Sequence, residues 1–303
     1  MCFNDKNIIV TARRKIMEYD VVIIGAGPAG ISASLYTKRA NKKTLVLYKD
    51  DSSLEKATEI DNYYGFENGI SGKDLYENGI KQAKNIGVDV YEEEVIKLEK
   101  IPDGFLIITS KSEYKSKYVI LATGNKKNKP QIKGIKELEG KGVSYCAICD
   151  GFFYRGKDVT VLGSGDYAIS ETNDLINLAN SITILTNGEK APEIRAENVK
   201  IETRGVTAIN GTEKVEAVEL EDGSTIKTDG VFVAQGVAGS TEFAKKLGAL
   251  VNKDKIVVNE NMETSIKGLY ACGDCVGGLL QVAKAVHEGV IAAMNIIKSN
   301  NVN

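Results

Sequence analysis

The chain has 303 residues, room for two ordinary domains. Its 39 Lys+Arg against 41 Asp+Glu leave a formal charge of −2, which gives no electrostatic reason to expect nucleic acid or an anionic membrane as partner. No apolar run approaches the roughly 20 residues of a bilayer-spanning helix, and "MCFNDKNIIVTARRKIMEYD" offers neither an apolar signal core nor a small-residue cleavage site, so a soluble, cytoplasmic protein is expected.

Residues 1–16 read as an extension that frays, because strand-like sequence starts only at Met17. Next comes "YDVVIIGAGPAGISASLYTKRANKKTLVLYKD", which reads as strand, glycine turn, helix and strand. Val21–Ile24 is the short continuous apolar run of a strand buried on both faces, and Leu45–Leu47 is its neighbour. Gly25, Gly27 and Gly30 form G-x-G-x-x-G at the strand-to-helix junction, with Pro28 and Ala29 opening the helix. The first glycine permits the turn, the second lets backbone approach a pyrophosphate, and the third lets helix pack on strand. The helix start adds free N–H groups and a positive dipole end. A ribose-binding acid is expected about where Tyr48 stands, and Asp50 is the nearest substitute.

Midway along the chain, "SYCAICDGFFY" places Cys146 and Cys149 in C-x-x-C. Zinc modules usually set two such pairs about 15–20 residues apart, and the next pair, Cys272/Cys275, is far more distant. A purely structural disulfide is disfavoured in a reducing compartment. The spacing therefore favours a redox pair, one thiolate attacking and the other resolving. "KDVTVLGSGDYAISETNDLINLANSITILTNG" then repeats the nucleotide pattern. Val159–Leu162 is the strand; Gly163, Gly165 and Ala168 give G-x-G-x-x-A; a helix is expected to about Ala179; and Ile182–Leu185 follows. Near the end, "KGLYACGDCVGGLLQVAKAVHEGVIAAMNIIK" closes a strand at Leu269–Ala271, turns at Gly273–Asp274 and enters a helix from about Gln281. A carboxylate at that strand end sits where open α/β sheets bind ligands. Cys272 and Cys275 read as small buried hydrophobes, with a second redox pair left open. His287, the one histidine, reads as a helix-surface or dimer-contact residue, so no Ser-His-Asp relay or histidine metal cluster can be assembled and no metal is expected.

Taken together, "GAGPAG" at 25–30, "ATG" at 122–124, "CAICDGFFY" at 146–154, "GSGDYA" at 163–168 and "GLYACGD" at 268–274 resemble the low-molecular-weight thioredoxin reductases, a family of FAD flavoproteins, in motif, order and spacing. The resemblance implies an α/β protein of two Rossmann-like, doubly wound dinucleotide-binding domains, the second inserted into the first. Residues 17–114 and 240–303 would form the FAD domain, 115–239 the inserted one, with hinges near Tyr118–Gly124 and Gln235–Ser240. Ala122, Thr123, Gly124, Gly273, Asp274, Gln281 and Val282 would join the first glycine turn in holding FAD. Cys149 would face the flavin and take electrons from it, and Cys146 would exchange with a thioredoxin-like partner. The family's acid role for Asp150, protonating the leaving thiolate, would follow if apolar neighbours such as Phe152 and Phe153 raise its pKa; a helix-capping carboxylate is the alternative. The pair must meet both a buried flavin and a protein substrate, so a rigid-body rotation of one domain is expected, as is a homodimer.

The likeness is incomplete at the electron donor. Family members that use NADPH carry a His-Arg-Arg cluster and a further arginine after the second strand of the inserted domain, to bind the 2′-phosphate. Here Thr186, Asn187 and Gly188 stand there, with Lys190 and Arg195 further on. NADPH through those cations, NADH through Asn187, and reduced ferredoxin all remain open as donors. The family's Gly-Gly-Gln segment is replaced by "DDSSLEKATEIDNYYGF", and its Arg-Gln pair by Leu280–Gln281. A ferredoxin–nicotinamide reductase is disfavoured because such relatives lack C-x-x-C; a flavin-binding redox sensor with little turnover stays open.

Overall fold

A computed structural model describes residues 16–49, 52–124, 130–236 and 238–299. The expected ribose acid Asp50, the isolated Cys2 and all but the last residue of the expected extension lie outside the described residues.

The first unit is built around one sheet. Strand β1 (Ile16–Ile24) leads through the glycine turn to helix α1 (Pro28–Arg39) and back to β2 (Thr44–Tyr48). Helix α2 (Gly72–Asn85) and β3 (Asp89–Glu92) follow, then the antiparallel β4 (Val95–Ile101) and β5 (Gly104–Thr109), and the long β6 (Glu113–Leu121). The order is β3-β2-β1-β6-β5-β4, parallel from β3 to β6. Val21 to Ile24 are at most 4% exposed, as a strand covered on both faces requires. Alternate residues serve different layers. Val21, Ile23, Val46 and Ile120 pack with Ala29 and Ala33 of α1 on one side, while Val22, Ile24, Leu45, Leu47, Val119 and Leu121 belong to a cluster on the other. Ile16 already pairs with Glu113, so strand structure starts one residue before the place the sequence suggested.

The chain then enters a second sheet. After β7 (Val143–Ser144) a single turn of helix, α3 (Ala147–Asp150), carries the cysteine motif. Strand β8 (Asp158–Leu162), helix α4 (Asp166–Leu175), β9 (Ser181–Leu185) and β10 (Val199–Glu202) give the second strand–turn–helix–strand unit. Helix α4 stops four residues short of the expected Ala179, because Asn198 Nδ2 donates to the carbonyls of Ile176 and Ala179 and holds the following turn. A meander of β11 (Val206–Asn210), β12 (Ala217–Leu220) and β13 (Thr225–Lys227) precedes β14 (Gly230–Val233), which completes the all-parallel order β10-β9-β8-β14-β7.

Helix α5 (Ser240–Lys246) and the short pair β15 (Val251–Asn252) and β16 (Lys255–Ile256) return the chain toward the first sheet. Strand β17 (Leu269–Ala271) is laid on the end of β6, pairing with Val119–Leu121, and helix α6 (Val282–Ser299) packs on α1. Two discontinuous stretches thus build the first sheet, and β6 stays in it to Leu121, past the 114/115 boundary placed from sequence. The two connections meet at one point: Ser240 N–H donates to Thr123 Oγ1 at 2.8 Å and the two hydroxyls lie 2.9 Å apart. Each connection has a left-handed glycine, Gly124 (φ 74°) and Gly236 (φ 81°). Among the described residues no helix is long and apolar enough to cross a membrane.

Candidate active site

A cavity of about 310 Å³ opens at the carboxyl ends of β1, β2 and β6. It gathers Gly25, Gly27, Pro28 and Ala29 from the first turn, Ala122, Thr123 and Gly124 from the end of β6, Gly273 and Asp274 after β17, and Gln281 and Val282 at the start of α6. Four separate stretches of sequence become one wall because β1, β6 and β17 end side by side.

The glycine turn has room for a phosphate where it needs it and none where it does not. Gly25 has φ +117°, and a Cβ there would fall 2.3 Å from Ala122 O. Gly30 lies beneath the turn, where a Cβ would meet Gly25 O at 2.0 Å, so it packs helix on turn rather than lining the cavity. At Gly27 an added Cβ would meet no atom within 4 Å. Helix α1 has no side-chain cap and no acid in its first turn, so its N–H groups and dipole end are left for an anion. Open space at Gly27 and an uncapped helix start fit the pyrophosphate of a dinucleotide such as FAD.

On the opposite wall, helix α6 holds the Gly273–Asp274 turn by its backbone. Glu288 Oε2 accepts the Gly273 N–H at 2.8 Å, Lys284 Nζ donates to Gly273 O at 3.0 Å, and Lys255 Nζ donates to Asp274 O at 2.9 Å. The i,i+4 spacing of Lys284 and Glu288 was a readable signal for this brace. At the far end of the cavity Lys49 is paired with the buried Glu94, both lining it, and nothing in the sequence singled them out. Asn62 Nδ2 donates to Gln281 Oε1 at 3.2 Å, tying the segment that replaces Gly-Gly-Gln to the start of α6.

Cys146 and Cys149 are joined in a disulfide with Cα atoms 5.3 Å apart. Neither lines the cavity; α3, which carries them, packs on α5, whose Phe243 does. Cys146 is 4% exposed whereas Cys149 is exposed, and the Cys149 N–H points to Cys146 Sγ at 3.2 Å. Asp150 lies in a different setting from the one expected. Phe152 and Phe153 are each 69% exposed and do not sheathe it; instead the Ser144 hydroxyl donates to Asp150 Oδ2 at 2.6 Å. Ser144 Oγ also accepts the Cys146 N–H at 3.1 Å, so one hydroxyl, missed by sequence reasoning, orients both the acid and the thiol. Glu171 Oε2 accepts the Ala147 N–H at 2.6 Å. Burial pushes the Glu171 carboxyl up, while Lys246 and the Ala147 N–H pull against it.

The second glycine turn is built differently. Gly163, Gly165 and Ala168 lie beside β8 and apart from the cavity. Asp166 occupies the first turn of α4, and Glu189 takes a hydrogen bond from Ser164 inside the glycine turn itself. Asn187, expected to meet a ribose hydroxyl, has φ 53° and uses its Oδ1 to accept the Val206 N–H at 2.8 Å. Lys190 and Arg195 are exposed. Cys272 and Cys275 are free thiols, 0% and 1% exposed, and burial pushes Cys275 up to about 12.

A flavin cradle on the parallel part of one sheet and a C-x-x-C disulfide beside a second sheet define a flavoprotein oxidoreductase. The chain belongs to the pyridine nucleotide-disulphide oxidoreductase family, whose model matches residues 19–289, and within it groups with the low-molecular-weight thioredoxin reductases. It is 35% identical to the thioredoxin reductase of Bacillus subtilis (strain 168), with 92% of this chain and 93% of that protein covered. Among solved structures, it is similar to the atypical thioredoxin reductase TRi of Desulfovibrio vulgaris Hildenborough (39% identity, TM-score 0.83, covering 94% of this chain and 99% of that one). It is also similar to a ferredoxin-flavin thioredoxin reductase of Clostridium acetobutylicum (35% identity, TM-score 0.69, covering 95% and 100%). FAD is the cofactor of the family.

Proposed function

We propose that this chain reduces the disulfide of a thioredoxin-like protein through Cys146 and Cys149, and that its FAD is charged by a reduced ferredoxin-type carrier rather than by NADPH or NADH. The observation that carries the first part is the closed Cys146–Cys149 disulfide on a helix packed against α5, itself part of the cofactor cavity. Bound FAD supplies reversible two-electron capacity.

The chain's own groups do the rest. The backbone N–H groups from Gly27 onward hold the pyrophosphate, and the Gly273–Asp274 turn, braced by Glu288 and Lys284, holds the opposite side. Two electrons and two protons open the S–S bond into two thiols. Cys149, the exposed sulfur, receives the electrons. Cys146 then gives its thiol proton to Asp150, held by Ser144, and attacks a sulfur of the partner's disulfide; a mixed disulfide forms, a partner thiolate leaves, and Asp150 passes that proton on to it. Cys149 attacks Cys146 in turn, which frees the second partner thiol and restores the intramolecular bond. Cys146 cannot touch another protein while 4% exposed, which supports rotation of the unit carrying it. The hinge lies where Thr123 meets Ser240, between Gly124 and Gly236. The FAD unit, expected as 17–114 and 240–303, runs on through β6 to Leu121, the inserted unit takes the chain from there to 239, and the enzyme works as a cytoplasmic homodimer, as the family resemblance supports.

The donor assignment rests on the contrast between the two glycine turns. The first is uncapped and free of acids, while the second carries Asp166 and the carboxylate of Glu189 where phosphates would lie, which costs affinity for any dinucleotide. The likeness to the ferredoxin-flavin enzyme supports a ferredoxin carrier. Anaerobic stopped-flow mixing tests both parts. Reduced ferredoxin is expected to bleach the flavin and drive thioredoxin reduction, with NADPH and NADH ineffective. Fast bleaching by NADPH overturns the donor; negligible turnover with all three favours a redox sensor.

A further inference from the structure

The seam between the two sheets contains an ion pair away from the cofactor cavity. Lys246 on α5 meets Glu171 Oε1 on α4, with side chains 3% and 1% exposed. The other oxygen of Glu171 accepts the N–H of Ala147, the residue after Cys146. Lys246 Nζ also lies 5.1 Å from the centre of the Tyr167 ring, whose hydroxyl donates to Tyr145 O at 3.2 Å, one residue before Cys146. A cation that follows the second connection is thus joined through one carboxylate and one phenol to the backbone on both sides of Cys146. Asp174, further along α4, has a buried Oδ2 without a hydrogen-bond partner among the described residues; burial pushes its carboxyl up, while Lys97 and then Lys246 pull against it.

We propose that Lys246 and Glu171 are positioning residues that latch the Cys146–Cys149 turn against the flavin-bearing unit, and that the pair separates when the disulfide swings out to meet its protein substrate. This rests on the flavin-to-disulfide reading above. The physical reason is the balance of a buried ion pair. Two desolvated charges in contact roughly repay their own desolvation, so the latch fixes geometry without a deep energy well and can open on each turnover. One such charge left alone in the seam is strongly unfavourable, and it regains water only if the two units part.

Single-charge and charge-free variants of the full flavin-loaded chain therefore behave oppositely. Glu171→Gln keeps an acceptor for the Ala147 N–H but strands the lysine. It is expected to enlarge the radius of gyration in small-angle scattering and to slow electron equilibration from dithionite-reduced flavin to the disulfide at least roughly tenfold. Glu171→Gln combined with Lys246→Met, which removes both charges and keeps the apolar stem, is expected to restore the compact scattering profile and a rate within about threefold of the original. Flavin absorbance and thermal unfolding establish that each variant is loaded and folded. If Glu171→Gln does not fold, Lys246→Met, which strands the carboxylate instead, carries the same expectation. A single-charge variant with unchanged scattering and unchanged rate overturns the latch, as does an opened single variant that the double variant fails to close. If the unsubstituted chain takes electrons into flavin but never into the disulfide, the functional reading fails instead, and the scattering comparison still decides the latch on its own.

Discussion

Gly27→Ala isolates the cofactor site from the fold. The residue has φ −71° and ψ 179°, backbone that alanine adopts without strain, and a Cβ there meets no protein atom within 4 Å. Stability without cofactor should therefore stay within about 0.5 kcal/mol of the original. The methyl group instead fills the space through which a pyrophosphate approaches the N–H groups of α1. Losing one charge-assisted hydrogen bond to phosphate, worth about 1.5–3 kcal/mol, weakens FAD binding by roughly 10- to 150-fold. Titration of the flavin-free chain with FAD, followed by flavin fluorescence, measures this. Thermal unfolding with and without FAD shows whether the stabilisation by ligand disappears. The matched control is Gly30→Ala, whose Cβ would lie 2.0 Å from Gly25 O and which should unfold earlier whether or not FAD is present. Wild-type FAD affinity in Gly27→Ala would refute the assignment of this turn as the phosphate cradle.

Ser144→Ala should remove the hydroxyl that bonds both Asp150 and the Cys146 N–H, slowing release of the partner's thiol several-fold, with retained flavin absorbance as the check that the cradle is intact. Cys272 and Cys275 should resist alkylation in the native chain even at mildly alkaline pH, because burial holds Cys275 near 12; mass spectrometry of labelled peptides would expose an error if either were modified without unfolding. Glu202 is held down to about 2 by hydrogen bonds from Arg204. A carboxyl lowered in the folded state stabilises above its unfolded value, near 4.5, and that stabilisation is lost as pH falls toward about 2. Since solvent screens this partly exposed pair, Arg204→Ala should lower stability only slightly at neutral pH and not at all in strong acid, as denaturant melts at the two pH values would show.

Much of the first sheet was legible because its signals are local. Val21–Ile24 is an unbroken apolar run, and Gly25, Gly27 and Gly30 fall at fixed offsets from its end. The second unit was equally visible at Val159–Leu162 and Gly163–Ala168. The end of α4 was not, because Asn198, twenty-two residues beyond Ile176, supplies the bonds that stop it. The setting of Asp150 was misread for a similar reason. Phe152 and Phe153 are its neighbours in sequence but point to solvent, while Ser144, on the preceding strand, reaches it. Lys246 and Glu171 are seventy-five positions apart and meet only once two sheets are packed together. Glu189 shows the reverse case: an acid just past a strand end was in plain view, and its meaning emerged only when it was found bonded to Ser164 in the glycine turn.

The most direct test is to count electrons. Anaerobic dithionite titration of the FAD-loaded chain should take up four electrons per chain, two for the flavin and two for the Cys146–Cys149 bond, and Cys149→Ser should take up two. An uptake of two by the unsubstituted chain would mean that the disulfide does not communicate with the flavin, and would contradict the account.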